Sequence, residues 1–507
     1  MPPRHPMTTL ASFAALLAAA CCLTAVFPAA GGPPAVAMPA AGLAAATLPA
    51  AGPPAAVLPA AGLPAAVLPA PGLLAATLPA AGLPAAVFPA AGLLAAVLPA
   101  AGPPAGAATA AWPLFRGDPE LSGRAAGTLG RALAPAWTWK AGGGIASTAA
   151  IWHGSVYVGS LDGNLYALGL DSGAVRFKYR AEGPIRSSPV VRDGVVFFGD
   201  GRGVFHAVDA ATGRRRWIFR TGAEIVSAAN FAAGGVVFGS YDQSVYCLSP
   251  ADGARRWSVE TDGYVNATPA VAGDAVVIAG CDGKLRRLRA RTGAEVWKVG
   301  LGGYLGASPA LAGGRAFVGT FENQLVAVDL GSGKVVWRYE NPQLKFPYYS
   351  SAAVRDDLLV VGGRDKLVHA LSPRTGEMLW SFAARGAVDS SPVLVDGLAV
   401  AAAKSGDIFA LDDRTGKPVW QFAAGSSIEA SPAIAGGRLV LGTMDGTLYC
   451  FAGSKKLARS EGEGASPSPR RVGRGSRGCG GDPIDAVSST RSLVVEAVSR
   501  LGVAGRR

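Results

Sequence analysis

Short runs of alternating apolar and small residues recur along the middle of the chain, separated by glycine-containing turns. In residues 427–451, "SIEASPAIAGGRLVLGTMDGTLYCF", the run "IEASPAIA" predicts an inner strand, "RLVLGT" a second strand and "TLYCF" a third. Gly436-Gly437 and Asp445-Gly446 are typical of hairpin turns. The preceding unit adds a fourth strand, "FALDDRTGKPVWQF", in which Thr415-Gly416 turns the chain before Trp420.

One aromatic residue of the predicted outer strand returns at a nearly constant spacing. The positions are Trp137, Phe177, Trp217, Trp257, Trp297, Trp337, Trp380 and Trp420, and their differences are 40, 40, 40, 40, 40, 43 and 40. A period near 40 with four short strands per unit is typical of a β-propeller. The sequence therefore predicts an all-β fold, an eight-bladed propeller of four-stranded antiparallel blades.

The first and last units complete each other. The eighth unit ends at "TLYCF" after three strands, whereas "PAWTWK", residues 135–140, is a strand-like run with no hairpin partner before it. Because Trp137 is in register with the other outer-strand aromatics, we expect residues 135–140 to pair with residues 447–451. This N-terminal outer strand would complete the last blade and close the ring, which removes exposed sheet edges.

Composition divides the chain into four regions, of which the propeller, 112–451, is the third. Residues 1–27 contain an apolar run after Arg4 and His5 that predicts a signal peptide or a membrane anchor. The sequence around Cys21 only weakly resembles a lipoprotein signal. Residues 28–111 are an Ala/Pro/Gly-rich decapeptide repeat, interpreted as a disordered spacer; a DNA repeat translated from a misplaced start is the alternative. Residues 452–507 are interpreted as a basic, low-complexity, disordered tail.

Charge and cysteine content exclude several classes of protein. The net charge is +12, but the tail alone holds 11 Lys and Arg against 5 Asp and Glu, leaving the middle nearly balanced, so nucleic-acid binding is not expected. The propeller region has three cysteines, Cys247, Cys281 and Cys450, without paired spacing. No hydrolase, zinc or nucleotide motif is present. His206 and His369 align with Tyr or Phe of other repeats, which indicates packing.

The repeat resembles a known family. The segment "AVDAATGRRRW", ending at Trp217, matches the tryptophan-docking pattern A-x-D-x-x-T-G-x-x-x-W of PQQ-like propellers, and "ALDDRTGKPVW", ending at Trp420, matches it as well. The resemblance covers Trp112 to Phe451. One branch of the family is the quinoprotein dehydrogenases, which bind PQQ with Ca²⁺. The other resembles the outer-membrane assembly factor BamB, which binds protein partners. The compact repeats place this chain nearer the BamB-like branch.

Loop residues that depart from the repeat pattern predict a candidate binding site. Loops entering the inner strands and loops joining the second and third strands should share one face of the ring. The three extra residues of the sixth unit lie in "YENPQLKFPYYSSAAV", which we expect to stand at the channel mouth. The candidate binding residues on this face are Lys345, Phe346, Tyr348, Tyr349, Tyr264, Tyr304, Tyr241, Asp242, Asp282, Arg364, Asp365, Lys366, Asp389 and Glu429. Aromatic groups beside mixed charge suit a protein, a peptide or a sugar.

These features predict a non-catalytic scaffold that binds a protein partner in the envelope of a bacterium, at the periplasm or outer membrane. We expect a monomeric propeller without a cofactor; the N-terminal segment could attach it to a membrane. Two alternatives are a PQQ-dependent alcohol or sugar dehydrogenase and a module that senses ligands or glycans. Asp389 and Glu429 are neighbours, but no catalytic or metal-binding residue is assigned from them.

Overall fold

The computed structural model describes residues 111–454, which form only β-strands and the loops between them. The spacer, the tail and the N-terminal apolar run predicted from sequence lie outside this range. The described residues include no helix long and apolar enough to cross a bilayer. The strands form eight four-stranded antiparallel sheets, which confirms the predicted eight-bladed propeller.

The strands follow one another in a repeating order of inner, second, third and outer strand, and β1 (Leu133–Lys140) is the outer strand of the last blade. Blade 1 contains β2 (Ala150–Trp152), β3 (Ser155–Gly159), β4 (Asn164–Gly169) and β5 (Val175–Arg180). Blade 2 contains β6 (Val190–Arg192), β7 (Val195–Gly199), β8 (Val204–Asp209) and β9 (Arg215–Arg220). Blade 3 contains β10 (Asn230–Ala232), β11 (Gly235–Gly239), β12 (Ser244–Leu248) and β13 (Arg255–Glu260). Blade 4 contains β14 (Ala270–Ala272), β15 (Ala275–Ala279), β16 (Lys284–Arg289) and β17 (Glu295–Gly300).

The remaining four blades keep the same order. Blade 5 contains β18 (Ala310–Ala312), β19 (Arg315–Gly319), β20 (Gln324–Asp329) and β21 (Val335–Glu340). Blade 6 contains β22 (Ala353–Arg355), β23 (Leu358–Gly362), β24 (Leu367–Leu371) and β25 (Met378–Ala383). Blade 7 contains β26 (Val393–Val395), β27 (Leu398–Ala402), β28 (Asp407–Asp412) and β29 (Pro418–Ala423). Blade 8 contains β30 (Ala433–Ala435), β31 (Arg438–Gly442) and β32 (Thr447–Gly453), with β1 outside β32.

The ring is closed as the sequence predicts. Strand β1 pairs antiparallel with β32, from Leu133 opposite Gly453 to Lys140 opposite Thr447, with one irregularity between Pro135 and Trp137. The inner strands are shorter than expected, because only three residues of "IEASPAIA" are paired as a strand. The residues before them are irregular backbone.

Each outer-strand tryptophan ties its blade to the next one. The Trp380 Nε1 donates to the Asp413 carbonyl of the following blade at 2.9 Å, and Trp420 donates in the same way to Leu133 at 2.9 Å. Gly416 has a φ of +70° and would place a Cβ 2.5 Å from the Trp380 ring, so this position requires glycine. The docking pattern recognised in the sequence is therefore a contact between blades.

Hydroxyl groups join all eight blades around the axis. The Ser351 N–H of blade 6 donates to the Ser391 Oγ of blade 7 at 3.0 Å, and Ser391 N–H donates to Ser431 at 2.9 Å. We call the residues at this position the hydroxyl belt: Thr148, Ser188, Thr268, Ser308, Ser351, Ser391 and Ser431. Blade 3 has Ala228 there, and the neighbouring Ser187 and Ser227 hydroxyls donate to carbonyls of blades 3 and 4 instead.

The chain before β1 covers one end of the channel. Residues 112–125, called the collar here, follow the inner strands in blade order. Their carbonyls accept the N–H groups of one residue in each of six inner strands, at 2.8–2.9 Å: Ile151, Val191, Val271, Leu311, Val354 and Leu394. In blade 3, the Asn230 side chain donates to Pro119 instead. Trp112 and Leu121 are buried against the blades. The collar thus satisfies inner-strand donors that would otherwise face the channel.

Candidate functional site

The candidate site lies at the other end of the channel, called the upper face here. In every blade the loop between the second and third strands bonds to the loop that enters the inner strand; in blade 5, for example, the Phe321 N–H donates to the Tyr304 carbonyl at 2.9 Å. Both sets of loops therefore lie on one face, as the sequence predicts. The collar contacts the inner strands nearer their opposite ends.

Aromatic side chains form an arc over blades 3 to 6. The aromatic arc consists of Tyr241, Tyr264, Tyr304, Phe321, Phe346 and Tyr349. Tyr241 stacks on Tyr264 with ring centroids 5.0 Å apart, and the Phe321 ring lies edge-on to Tyr349 at 5.9 Å. Four of these rings remain open to solvent: Tyr264 is 43% exposed, Tyr304 45%, Phe346 47% and Tyr349 37%. Stacked rings that leave a face in solvent are suited to contact another molecule.

Charged side chains continue the mouth over blades 6 to 8. The charged quartet consists of Arg364, Asp389, Lys404 and Glu429. Arg364 binds both carboxylate oxygens of Asp389, each at 3.0 Å, and Lys404 Nζ lies 3.0 Å from Asp389 and 3.7 Å from Glu429. The Arg364 guanidinium also lies over the Tyr349 ring, 4.8 Å from its centroid. The quartet and the aromatic arc are therefore one continuous surface.

The fork of Arg364 holds Asp389, which is almost buried. Burial alone would lower the pKa of Arg364, but its hydrogen bonds to Asp389 raise the pKa above the ordinary value. The protein around the Tyr349 hydroxyl displaces water and raises the pKa of this phenol. The nearby Asp389 carboxylate adds to this effect. Arg364 is therefore a cation and Tyr349 a neutral phenol at neutral pH.

Tyr348 is a correction to the predicted site, because it is 1% exposed and does not stand at the channel mouth. It occupies the repeat position of Ile428 and Val388, which are buried apolar residues, and its ring packs in the core between blades 5 and 6. Successive residues of an extended chain point in opposite directions, so only one of the two neighbouring tyrosines could face the channel. Burial raises the pKa of Tyr348.

Three predicted carboxylates are engaged in hydrogen bonds or ion pairs with neighbouring residues of the blades. Asp365 is buried and accepts from His369 Nε2 at 2.8 Å and from Asn341 at 2.9 Å. Asp282 is buried beside Arg286, with 2.5 Å between carboxylate and guanidinium. Asp242 accepts from the Gly222 N–H and the Tyr246 hydroxyl. All three therefore stabilise the loops and strands around them.

The two lysines of the predicted set lie on the rim. Lys345 is exposed and forms an ion pair with Glu340 at 3.2 Å. Lys366 is exposed and has a φ of +68° in the loop between the second and third strands of blade 6.

Phe321 and Lys404 were missed by sequence reasoning. Both are the second residue of the loop between the second and third strands. At the same position, blades 3, 4 and 6 carry Tyr241, Cys281 and Arg364. The main chain at this position bonds to the entry loop in all eight blades. Comparing this single position across the repeats would have identified both residues.

The two histidines confirm the packing interpretation. His206 is buried, with Nε2 3.0 Å from Asp200 and Nδ1 3.0 Å from the Tyr179 hydroxyl. His369 lies in blade 6, on the opposite side of the ring, and makes the corresponding contacts with Asp365 and Tyr339. Neither ring reaches solvent, so neither is placed to act on a substrate at the upper face.

Comparison with known proteins shows the family to which the chain belongs. The model of the family described as outer membrane protein assembly factor BamB matches residues 122–241, 241–381 and 364–459. These matches span about two thirds of the chain. The chain belongs to this family. A search of curated protein sequences found no match.

Solved structures with the same fold include members of both branches. BamB from Moraxella catarrhalis is 20% identical, with a TM-score of 0.56 over 64% of this chain and 98% of that one. A europium-containing methanol dehydrogenase is 14% identical, with a TM-score of 0.60 over 68% of this chain and 98% of that one. Quinohemoprotein alcohol dehydrogenase from Comamonas testosteroni is 13% identical, with a TM-score of 0.60 over 73% and 83%. At these identities the likeness shows the fold alone.

Proposed function

We propose that the protein is a non-catalytic scaffold of the cell envelope, whose aromatic arc and charged quartet bind a protein partner. The observation that carries this proposal is the exposure of Tyr264, Tyr304 and Phe346 beside the self-paired quartet. Exposed aromatic rings around a polar centre supply the contact area and anchors that protein interfaces use. Membership of a family described as an outer membrane assembly factor supports an envelope setting.

The same quartet disfavours the quinoprotein alternative. A PQQ site with Ca²⁺ needs several oxygen ligands that together carry negative charge. Asp389 and Glu429 are the neighbouring carboxylates of the mouth, but Arg364 and Lys404 already neutralise them at 3.0–3.7 Å. A calcium ion there would be a third cation facing two positive groups, so these residues do not fit a calcium site.

Site-specific photo-crosslinking in the producing cell tests the proposal. A photoreactive phenylalanine analogue at Tyr304 or Phe346 should form a discrete adduct with another protein. The matched control is Leu379, which is 54% exposed on the outer strand β25 and lies far from the channel. We expect no adduct from the control position.

The alternative outcomes separate the hypotheses. Equal adducts from Leu379 and from the mouth positions would show that the arc is not a specific interface. Dye reduction by purified protein with added PQQ, Ca²⁺ and an alcohol or sugar would contradict the non-catalytic assignment. A polysaccharide adduct at Tyr304, in place of a protein one, would favour the glycan-binding alternative.

A further inference from the structure

Arg116 of the collar is a buried cation that forms no ion pair with a carboxylate among residues 111–454. It is 1% exposed, and its Nη2 donates to the Ala352 carbonyl at 2.9 Å. Its Nε and Nη1 find no acceptor among residues 111–454. Asp118 is close enough to act on Arg116 electrostatically, but its two oxygens accept from the Ser122 main chain and hydroxyl. Two strong donors of a charged group are thus left unmatched.

The group nevertheless remains charged under ordinary conditions. Burial lowers the pKa of Arg116 to about 9, against an opposing effect of Asp118. A guanidinium with that pKa is protonated at neutral pH. An enclosed cation is strongly destabilising unless an opposite charge or further hydrogen bonds compensate it. In the described part of the chain, the acceptor that Arg116 finds is the Ala352 carbonyl.

The collar holds this guanidinium in place. A Cβ on Gly123 would lie 2.0 Å from Nη2, and Gly123 has a φ of +68°, so the glycine allows the side chain to lie across it. The Gly123 N–H also donates to the Arg116 carbonyl at 3.1 Å. Arg116 is therefore positioned by packing, and its unmatched donors cannot simply turn towards solvent.

The acceptor of Arg116, the Ala352 carbonyl, belongs to the residue that directly follows Ser351 of the hydroxyl belt. Each belt oxygen that accepts a neighbouring N–H still carries a proton of its own to donate. These seven residues are all buried and surround the axis. On the upper face, the Asp389 and Glu429 carboxylates are bound to Arg364 and Lys404. The enclosed part of the channel thus presents donors and a positive charge.

We propose that this part of the channel binds one small anion of halide size, held by the Arg116 guanidinium and by the Ser351 hydroxyl of the belt. The Arg116 side chain and Ser351 are both buried, which restricts the ligand to a small ion. Such an ion would compensate the buried charge and accept from the unmatched donors. It would join the collar to the inner strand of blade 6.

Bromide provides a direct test with the wild-type protein. Crystals of the full chain grown in sodium bromide should show an anomalous peak within hydrogen-bond distance of Arg116. In solution, replacing sodium gluconate with sodium chloride at constant ionic strength should give a saturable rise in melting temperature of a few degrees, as expected for a ligand bound only by the folded state. Absence of the peak at high bromide would overturn the proposal.

Variants show whether Arg116 and the belt hold the ion. Arg116→Met should remove the chloride-dependent rise. Ser351→Ala, beside Arg116, should weaken it several-fold. Ser188→Ala, in blade 2 on the opposite side of the ring, is the matched control, because it also removes one acceptor of a main-chain N–H. Equal chloride dependence in Ser351→Ala and wild type, or in Arg116→Met and wild type, would contradict the assignment.

Discussion

The central channel ends on one side in the collar and on the other in the aromatic arc. At the lower end, main-chain carbonyls of residues 112–125 bond to inner strands, and Trp112 and Leu121 are buried. At the upper end, the entry loops leave four aromatic rings open to solvent. The same repeat forms both ends of the channel. The two ends therefore differ because of residues that depart from the repeat. The lower end contributes to stability, and the upper end carries the surface that we propose binds a protein partner.

A channel with two ends exists only if the ring is closed, and the largest effect is expected from opening it. Deleting residues 133–140 removes β1 from β32, the acceptor of Trp420 Nε1 and the Trp137 contact with blade 1. We expect loss of cooperative unfolding in a urea titration. Deleting residues 1–110 is the control and should leave the transition nearly unchanged. Similar effects of the two deletions would contradict closure by β1.

Single substitutions at the two ends should differ in their effect on stability. Trp112→Ala at the collar should lower the free energy of unfolding by about 3–5 kcal/mol, since it empties a buried site. Tyr304→Ala at the arc should change it by about 0.5 kcal/mol or less, because the ring is nearly half exposed. Chemical denaturation of both variants measures this. A large loss of stability in Tyr304→Ala would assign a structural role to the arc.

The smallest effect is expected from the pH dependence of a carboxylate near the upper face. Burial alone would raise the pKa of Asp365, but hydrogen bonds from His369 and Asn341 lower it below the ordinary value of 3.8. This stabilisation is therefore present above about pH 4 and is lost as the pH falls through the lowered pKa. Unfolding free energies measured from pH 6 to pH 2 should fall less steeply in Asp365→Asn. The exposed Asp356→Asn is the control and should follow the wild type.

The fold could be predicted in detail because the sequence of each repeat specifies how its strands pair. The aromatic spacing, the glycine of the docking turn and the two-residue hairpins each specify local geometry, and eight copies reinforce one another. Closure by "PAWTWK" followed from a missing fourth strand and from the register of Trp137. The site was less predictable. Tyr348 and Tyr349 are adjacent in sequence, but one is in the core and the other at the mouth.

The collar shows why the rest required a structure. "WPLFRGDPELSG" is not a repeat, and no periodicity indicates that its carbonyls would bond to six inner strands. Asp365 and Arg364 are likewise neighbours in one loop, yet the first supports His369 and the second binds Asp389 and Tyr349. These partners lie in the same blade or in the next one, but the repeat pattern does not indicate which side chains meet.

The sequence by itself determined the number of blades, their strand order and the way in which the ring closes. These properties depend on contacts within one repeat or between a repeat and its neighbour, and such contacts leave a periodic signal. Only the tertiary structure decided which end of the channel is covered, which side chains of the mouth are accessible, and that Arg116 is buried with two nitrogens that find no acceptor among residues 111–454. These depend on where non-repeating residues meet after closure, because several blades then face one another across a common axis.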